Sequence, residues 1–225
     1  MTNPRSKSDK GLSATCIAFL EDWAKQQLYG RRKEFKSKYT DKGNYKEDNA
    51  IVFAKQVYNW AADTVKNEEY FEDDFFTGTP DIILTESVED IKNAWDAFTF
   101  PLFETEIPSK MKGYDWQGRG YMQLTGRKKF GLVYCLMDAP ENLIEKAAYY
   151  KQKDLGLEEL PVELYEEVKA FMSYEDLAPV LRTNRFEITA DPIKVAAMQT
   201  RVLECRAYIA KNIQPKFVNL QNKLA

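Results

Sequence analysis

The stretch from Tyr114 to Phe130 constrains the fold more than any other part of this chain. Gly118 and Gly120 flank Arg119, an arrangement typical of a tight turn in which the backbone passes close to another group. The residues that follow alternate, which predicts a short strand that ends at Gly126. One face of that strand would carry Tyr121, Gln123 and Thr125, and the other Met122 and Leu124. From Lys128 onward, the spacing of Phe130, Val133, Tyr134 and Met137 predicts a helix.

The Gly-Arg-Gly-Tyr-Met-Gln-Leu-Thr-Gly-Arg run that ends at Arg127 resembles the signature of the family-19 chitinases and the related phage endolysins, a branch of the lysozyme superfamily. The resemblance implies a mainly α, lysozyme-like fold in which helices and a small β-hairpin region line a sugar-binding cleft. A plain β-hairpin would account for Gly-Arg-Gly alone, but not for the longer run. The substrate-binding residues implied by the resemblance are Arg119, Tyr121, Gln123, Thr125 and Arg127. Lys128 and Lys129 depart from the family pattern.

Length and charge set the expected organisation of the chain. At 225 residues one domain is expected, from residue 13 to 225, after a flexible lead of residues 1–12. The net charge of −3 gives no indication of a nucleic-acid partner, so none is expected. No apolar window is long enough for a membrane span, and the N-terminus lacks the pattern of a secretory signal. We therefore expect synthesis in the cytoplasm, and action on the cell wall after release or from within a phage or secretion particle.

The residue types available limit the chemistry. Histidine is absent, so the commonest general base and metal ligand are missing. Catalysis by this chain is expected to use carboxylates, with no metal or organic cofactor. The three cysteines, Cys16, Cys135 and Cys205, are odd in number and far apart in sequence, which predicts buried thiols rather than disulfides.

The general acid of a glycosidase is expected near the end of a helix that Asn49 caps and whose buried side includes Ala50, Ala54 and Tyr58. The resembled family places its acid in a His-Glu pair, which this sequence lacks. Two alignments therefore stay open. One puts Asn59 at the acid position, where no proton can be donated, and the other puts Glu68 there, beside aromatic residues that would raise the pKa of its carboxyl group.

The second carboxylate is expected on a strand from Leu102 to Ile107, with Glu104 and Glu106 on one face. Before it, the spacing of Val88, Ile91 and Trp95 predicts a helix. With Glu68 as acid and Glu106 as base, the resemblance implies an inverting glycoside hydrolase that cleaves a β-1,4 aminosugar polymer, peptidoglycan rather than chitin. The alternative is a catalytically inactive structural or glycan-binding protein of a phage or injection particle.

The rest of the chain is expected to be helical. Ser13 is placed to cap a first helix that ends at Gly30, and Pro192 to begin a last helix that runs to Ile213. Further helices are predicted from Leu143 to Tyr150 and from Pro161 to Met172.

Overall fold

The computed structural model describes residues 11–33 and 38–217, and for residues 38–46 it describes the backbone alone. Its helices are α1 Ala14–Tyr29, α2 Lys38–Val57, α3 Ile107–Met111, α4 Tyr114–Thr125, α5 Glu141–Asp154, α6 Val162–Phe171 and α7 Pro192–Tyr208. Its strands are β1 Phe71–Glu72, β2 Thr77–Gly78, β3 Ile82–Ile83, β4 Ser87–Asn93, β5 Lys129–Cys135 and β6 Thr183–Thr189.

A mixed four-stranded sheet in the order β3-β4-β5-β6 lies at the centre of the fold. The two middle strands, β4 and β5, run parallel, and each pairs with its outer neighbour in the antiparallel direction. A separate antiparallel pair is formed by β1 and β2. A parallel pair needs a long crossover, and the chain between β4 and β5 supplies one that contains α3 and α4.

Helices cover both faces of the sheet. On one face α2 packs Ala50, Ile51 and Ala54 against Ile91 and Val133. On the other face α4 contributes Tyr121 and Met122 to a second apolar cluster. The sheet side chains in that cluster include Val88, Phe130, Leu132 and Phe186. A sheet with a helix layer on each face is an α/β arrangement. The expected mainly α, lysozyme-like fold with a β-hairpin region is therefore wrong.

Two segments with apparent helical spacing are strands. In β5 every residue from Phe130 to Cys135 is buried, because helices lie on both sides of the sheet. A strand buried on both faces loses the alternation of polar and apolar residues, and its continuous apolar run also matches a helical template. In β4 the cause is different, because Ser-Val-Glu-Asp-Ile-Lys-Asn has polar residues on both of its faces. Its two apolar residues, Val88 and Ile91, lie three positions apart, a spacing that matches a helix rather than a strand.

The Gly-Arg-Gly stretch is a helix and not a turn followed by a strand. It forms the middle of α4, which ends at Gly126 with φ of 68°. A Cβ atom added at Gly118 would lie 2.2 Å from Cδ1 of Phe130. Gly118 therefore serves the close approach of α4 to the sheet. The expected strand around Glu106 is also wrong, since Glu104–Glu106 is a short 3-10 helix that leads into α3.

Other helix predictions are confirmed. Ser13 caps α1 by accepting a hydrogen bond from the backbone N of Cys16, and the helix ends at Gly30. The structure also confirms the helices expected near Leu143–Tyr150, Pro161–Met172 and Pro192–Ile213, the last of which continues as a π-helix from Ile209 to Ile213. Asn49, however, lies inside α2 and does not cap it.

The chain divides into two compact units, one made of residues 1–35 and 191–225 and the other of residues 36–190. In the first unit, α1 and the C-terminal helices share a core that includes Cys16, Leu20 and Cys205. The second unit contains the central sheet. The expected boundary at residue 12 falls at the edge of the described residues and stays a prediction. Among the helices described, none is long and apolar enough to cross a membrane.

Candidate active site

A cluster of charged residues lies where β3 and β4 meet. The register pairs Ile82 with Glu89, so that one further step places Asp81 opposite Asp90. Oδ2 of Asp81 accepts a 2.6 Å hydrogen bond from the backbone N of Ile91. The backbone carbonyl of Asp81 in turn accepts a hydrogen bond from the backbone N of Asn67. These contacts hold the Asp81 carboxylate beside β4.

Asp90 and Lys92 point to the same face of β4, because side chains two residues apart in a strand share a face. Oδ2 of Asp90 lies 2.7 Å from Nζ of Lys92, so the two side chains form an ion pair. The Asp90 side chain is 2% exposed and that of Lys92 is 29% exposed. The side chain of Lys92 is therefore partly accessible to solvent while its ammonium group is paired with a buried carboxylate.

The helix α4 covers the same face of the sheet. The ring of Tyr114 lies 5.5 Å, centroid to atom, from Nζ of Lys92. Nε2 of Gln117 donates a 2.8 Å hydrogen bond to the hydroxyl oxygen of Tyr121, and that hydroxyl lies 3.4 Å from the backbone carbonyl oxygen of Thr79. One face of α4 thus contacts both Lys92 and the segment that carries Asp81.

A third carboxylate comes from α2. The charge of Glu47 contributes to the raised pKa values of Asp81 and Asp90, so its carboxylate is part of the same electrostatic environment. Oε1 of Glu47 lies 3.2 Å from Nζ of Lys66, which also lies 3.5 Å from Oδ1 of Asp48. The side chain of Glu47 is 29% exposed. Glu47 therefore lies at the open rim of the cluster.

The pKa values follow from burial and from these neighbours. Burial, and then the charge of Asp90, raise the pKa of Asp81 from 3.8 to about 6. Burial also raises the pKa of Asp90, although Lys92 opposes this effect. Burial alone would lower the pKa of Lys92, but Asp90 and Asp81 raise it above the ordinary lysine value. The cluster therefore holds an excess of acidic groups around one protonated amine.

This arrangement fits a divalent cation. Oδ2 of Asp90 is buried beside the ammonium group of Lys92, and Asp81 lies next to it with a raised pKa. Within the described part of the chain, no group of three or more His, Cys, Asp or Glu side chains is placed to hold a metal ion. Mg²⁺, however, is commonly bound through one or two carboxylates, with water and substrate phosphates completing its coordination. The pair Asp81 and Asp90 meets that requirement.

The two expected catalytic carboxylates lie elsewhere. Glu68 is exposed and lines a cavity of about 810 Å³ together with Trp60, Lys66 and Glu86. Glu106 does not line that cavity, and its Oε2 accepts a hydrogen bond from the backbone N of Phe103. The alternative acid position, Asn59, has a positive φ of 51° just after α2.

The expected sugar-binding residues have different surroundings. Arg119 is 6% exposed and donates from Nη1 to the backbone carbonyl of Thr189, while Arg127 donates to the backbone carbonyls of Leu84 and Thr125. Gln123 is exposed on α4, and the hydroxyl of Thr125 donates to the carbonyl of Tyr121 in its own helix. The hydroxyl of Tyr121 contacts the backbone carbonyl of Thr79, two residues before Asp81.

The sequence contained a signal for the residues that were missed. In Asp90-Ile-Lys92 an acid and a lysine are separated by one residue, so a strand places both on one face. The Pro80-Asp81 pair comes shortly before, at a position where Pro80 is fully buried. The spacing of Val88, Ile91 and Trp95 predicts a helix for this segment, and in a helix residues two apart do not face each other. With the two-residue period of a strand, the sequence places Asp90 and Lys92 on the same face.

Comparison with solved structures shows which proteins have this fold. The phage-related exonuclease from Haemophilus somnus 129PT is 28% identical, with a TM-score of 0.76 over 96% of this chain and 91% of that one. The alkaline exonuclease LHK-Exo from Laribacter hongkongensis is 15% identical, with a TM-score of 0.60 over 95% and 88%. LHK-Exo in complex with dAMP is 16% identical, with a TM-score of 0.57 over the same shares of the chains. No family model and no curated protein matches this sequence.

These likenesses correct the functional predictions. The three solved structures named above are exonucleases, and their shared fold is not that of a lysozyme. The resemblance to family-19 chitinases and endolysins was therefore misleading, and the prediction of a glycoside hydrolase is wrong. The predicted partner, peptidoglycan, and the expectation of no nucleic-acid partner are wrong for the same reason. The chain has the fold of the phage-related and alkaline exonucleases.

Proposed function

We propose that this chain is a nuclease that hydrolyses phosphodiester bonds of DNA from a strand end and requires a divalent cation. The observation that carries the proposal is the cluster of Asp81, Asp90 and Lys92 at the meeting point of β3 and β4. It combines two carboxylates able to hold a cation with one amine able to contact a phosphate. Action at a strand end is supported by the likeness to proteins described as exonucleases.

Asp81 and Asp90 are the residues that would hold the cation. When bound there, a divalent cation would polarise the phosphoryl oxygens and lower the pKa of an attacking water. The carboxylates are fixed before substrate arrives, because Asp81 accepts from the backbone of Ile91 and Asp90 lies inside a paired strand. Fixed groups that require no reorganisation are the most effective at stabilising developing charge.

Lys92 supplies positive charge and a proton. In hydrolysis the attacking water loses one proton as its oxygen bonds to phosphorus, the P–O ester bond breaks, and the leaving oxygen gains one proton. Asp90 and Asp81 keep Nζ of Lys92 protonated, so that it both attracts the phosphate and holds a proton for the leaving oxygen. Tyr114 lies over the ammonium group at 5.5 Å and restricts its position through a cation–π contact.

The test is degradation of linear, end-labelled double-stranded DNA by the purified protein in the presence of Mg²⁺ or Mn²⁺. We expect shortening from the ends that EDTA stops, and no cleavage of a covalently closed circle of the same sequence. Lys92→Ala is expected to reduce the rate by on the order of 10²–10⁴-fold, the usual contribution of an acid-base group. Asp90→Asn is expected to abolish the activity. Binding of Mn²⁺, followed by calorimetry, should weaken in Asp90→Asn and persist in Lys92→Ala.

Glu68→Gln is the matched control. It also removes a carboxylate, but from an exposed side chain outside the cluster, and it should leave DNA degradation unchanged. Degradation that continues in EDTA, or in the Asp90→Asn variant, would overturn the proposal. Cleavage of the closed circle would retain a nuclease and reject the restriction to strand ends.

A further inference from the structure

Two thiols in the unit that contains α1 and α7 lie almost in contact. Cys16 belongs to α1 and Cys205 to α7, and their Sγ atoms are 3.6 Å apart although 189 positions separate them in sequence. Both side chains are buried, at 2% and 5% exposure, in one apolar cluster with Leu20, Ala24 and Ile213. The fold has therefore brought together two oxidisable groups from opposite ends of the chain.

The separation of the two sulfur atoms is close to what a disulfide requires. A disulfide bond is about 2.05 Å long, so the sulfur atoms need to approach by about 1.5 Å. Side-chain rotation supplies movements of this size without moving α1 away from α7. Cys135 has no such neighbour among the cysteines, since its Sγ faces the backbone carbonyl of Ala50 at 3.8 Å in a different cluster. The pair Cys16 and Cys205 is thus distinguished from the third thiol.

We propose that Cys16 and Cys205 form a site of reversible oxidation, at which an intramolecular disulfide covalently joins α1 to α7. Each thiol loses one proton, the two sulfur atoms bond, and two electrons pass to the oxidant. With an azo oxidant such as diamide, those electrons and protons convert the N=N bond to the hydrazine. A small dithiol reverses the reaction by thiol–disulfide exchange.

The surroundings of the pair make this reaction slow in the closed state. Burial, and then the hydrogen bond with Cys16, raise the pKa of Cys205 to about 11, which leaves little of the reactive thiolate near neutral pH. Oxidation therefore depends on local opening of α1 or α7. We expect its rate to increase with pH and with low concentrations of urea that leave the fold intact.

The disulfide would close a ring that spans 189 sequence positions. A long closed ring restricts the unfolded chain more than a short one, so oxidation is expected to raise the melting temperature. The rise should disappear when the disulfide is reduced.

The experiment treats the full-length protein with diamide, and then measures intact mass, thiol content after denaturation, and melting temperature. We expect the loss of two hydrogen masses, a fall from three titratable thiols to one, and a Cys16–Cys205 cross-linked peptide after proteolysis. Cys135→Ser is the matched control, and it should keep the mass loss and the gain in melting temperature. Cys16→Ser and Cys205→Ser should lose both.

Three outcomes would overturn the proposal. They are three thiols after oxidation, a cross-link that contains Cys135, and a mixture of disulfide-linked dimers in place of the intramolecular product. If a serine variant fails to fold, the peptide map of the oxidised wild-type protein decides by itself. None of these outcomes depends on nuclease activity, so the oxidation site and the proposed function are tested separately.

Discussion

At the scale of single residues, the carboxylate cluster shows a conflict between chemistry and stability. Asp81 and Asp90 lie next to each other in a largely buried position, with Lys92 as the nearest cation. Burial of a carboxylate disfavours its charged form, and a second carboxylate nearby disfavours it further. Such groups destabilise the fold at neutral pH, and a cluster of this kind is typical of a functional site.

This conflict predicts a stabilising substitution. The pKa of Asp81 is raised in the folded state from 3.8 to about 6, so the stability linked to its protonation is fully present below 3.8 and is lost as the pH rises through about 6. Asp81→Asn removes the charge and keeps an oxygen that accepts from Ile91. Above pH 6 it is expected to raise the free energy of unfolding by about 1–3 kcal/mol.

Urea denaturation of both proteins across this pH range measures the effect. The difference between Asp81→Asn and the wild type should shrink as the pH falls and vanish below the pKa of a free aspartate. An equal difference at every pH would show that the gain does not come from the ionisation of Asp81. The same substitution is expected to abolish DNA degradation. A gain in stability together with a loss of activity is typical of a residue that functions at an active site.

At the scale of elements, the close contact between α4 and the sheet determines where Tyr114 and Tyr121 lie. Gly118 allows this contact, since a Cβ atom there would meet the Phe130 ring at 2.2 Å. Overfilling a packed core forces shifts of side chains and backbone. The glycine therefore has a packing role that its sequence neighbourhood, a Gly-Arg-Gly run, did not reveal.

Gly118→Ala is expected to destabilise the protein by about 1–3 kcal/mol, because Phe130 is fully buried and has little room to move. Alanine has the higher helix propensity, so a purely local effect would have the opposite sign. Thermal unfolding measures the change. The control is Gln123→Ala, an exposed position on the same helix, where we expect a change within about 0.5 kcal/mol. A Gly118→Ala protein more stable than the wild type would contradict the packing model.

The opposite face of the sheet contains a buried ion pair between β4 and β6. Nε and Nη2 of Arg185 each donate a 2.8 Å hydrogen bond to Glu89, whose side chain is 0% exposed. Gly131 lies between them on β5, where a Cβ atom would come within 1.8 Å of Oε2 of Glu89. The pair depends on the absence of a side chain on the intervening strand.

Arg185→Ala would leave the charge of Glu89 buried without its arginine, and we expect a loss of about 3–5 kcal/mol. Replacement of both residues by methionine should recover much of that loss, because the unpaired charge disappears with the pair. The exposed pair of Lys151 and Glu167 is the comparison, and Lys151→Ala is expected to cost no more than about 1 kcal/mol. Chemical denaturation measures the free energy of unfolding of each variant and so tests this order of stability losses. Equal effects of Arg185→Ala and Lys151→Ala would reject the argument.

At the scale of the whole molecule, the fold and the sequence signature point to different substrates, and one pair of assays separates them. A turbidity assay on permeabilised bacterial cells should show no lysis, while linear DNA is degraded under the same conditions. The reason is that the expected acid and base, Glu68 and Glu106, make no shared site, whereas Asp81, Asp90 and Lys92 do. Lysis that Glu68→Gln abolishes would restore the glycosidase interpretation.

The sequence by itself determined the elements whose signals are local. Ser13 and Gly30 bound α1, and Pro192 begins α7, because caps and first-turn prolines act through neighbouring backbone groups. It also limited catalysis to groups other than histidine. Only the tertiary structure decided that β4 and β5 are strands and that α4 is a helix. A strand buried between two helix layers, such as β5, loses the alternation of polar and apolar residues, and a helix can contain glycines where it packs closely against a sheet. The position of the site also depends on tertiary structure. The pairing of β3 with β4 brings Asp81 next to Asp90 and Lys92, and no local sequence pattern specifies that pairing.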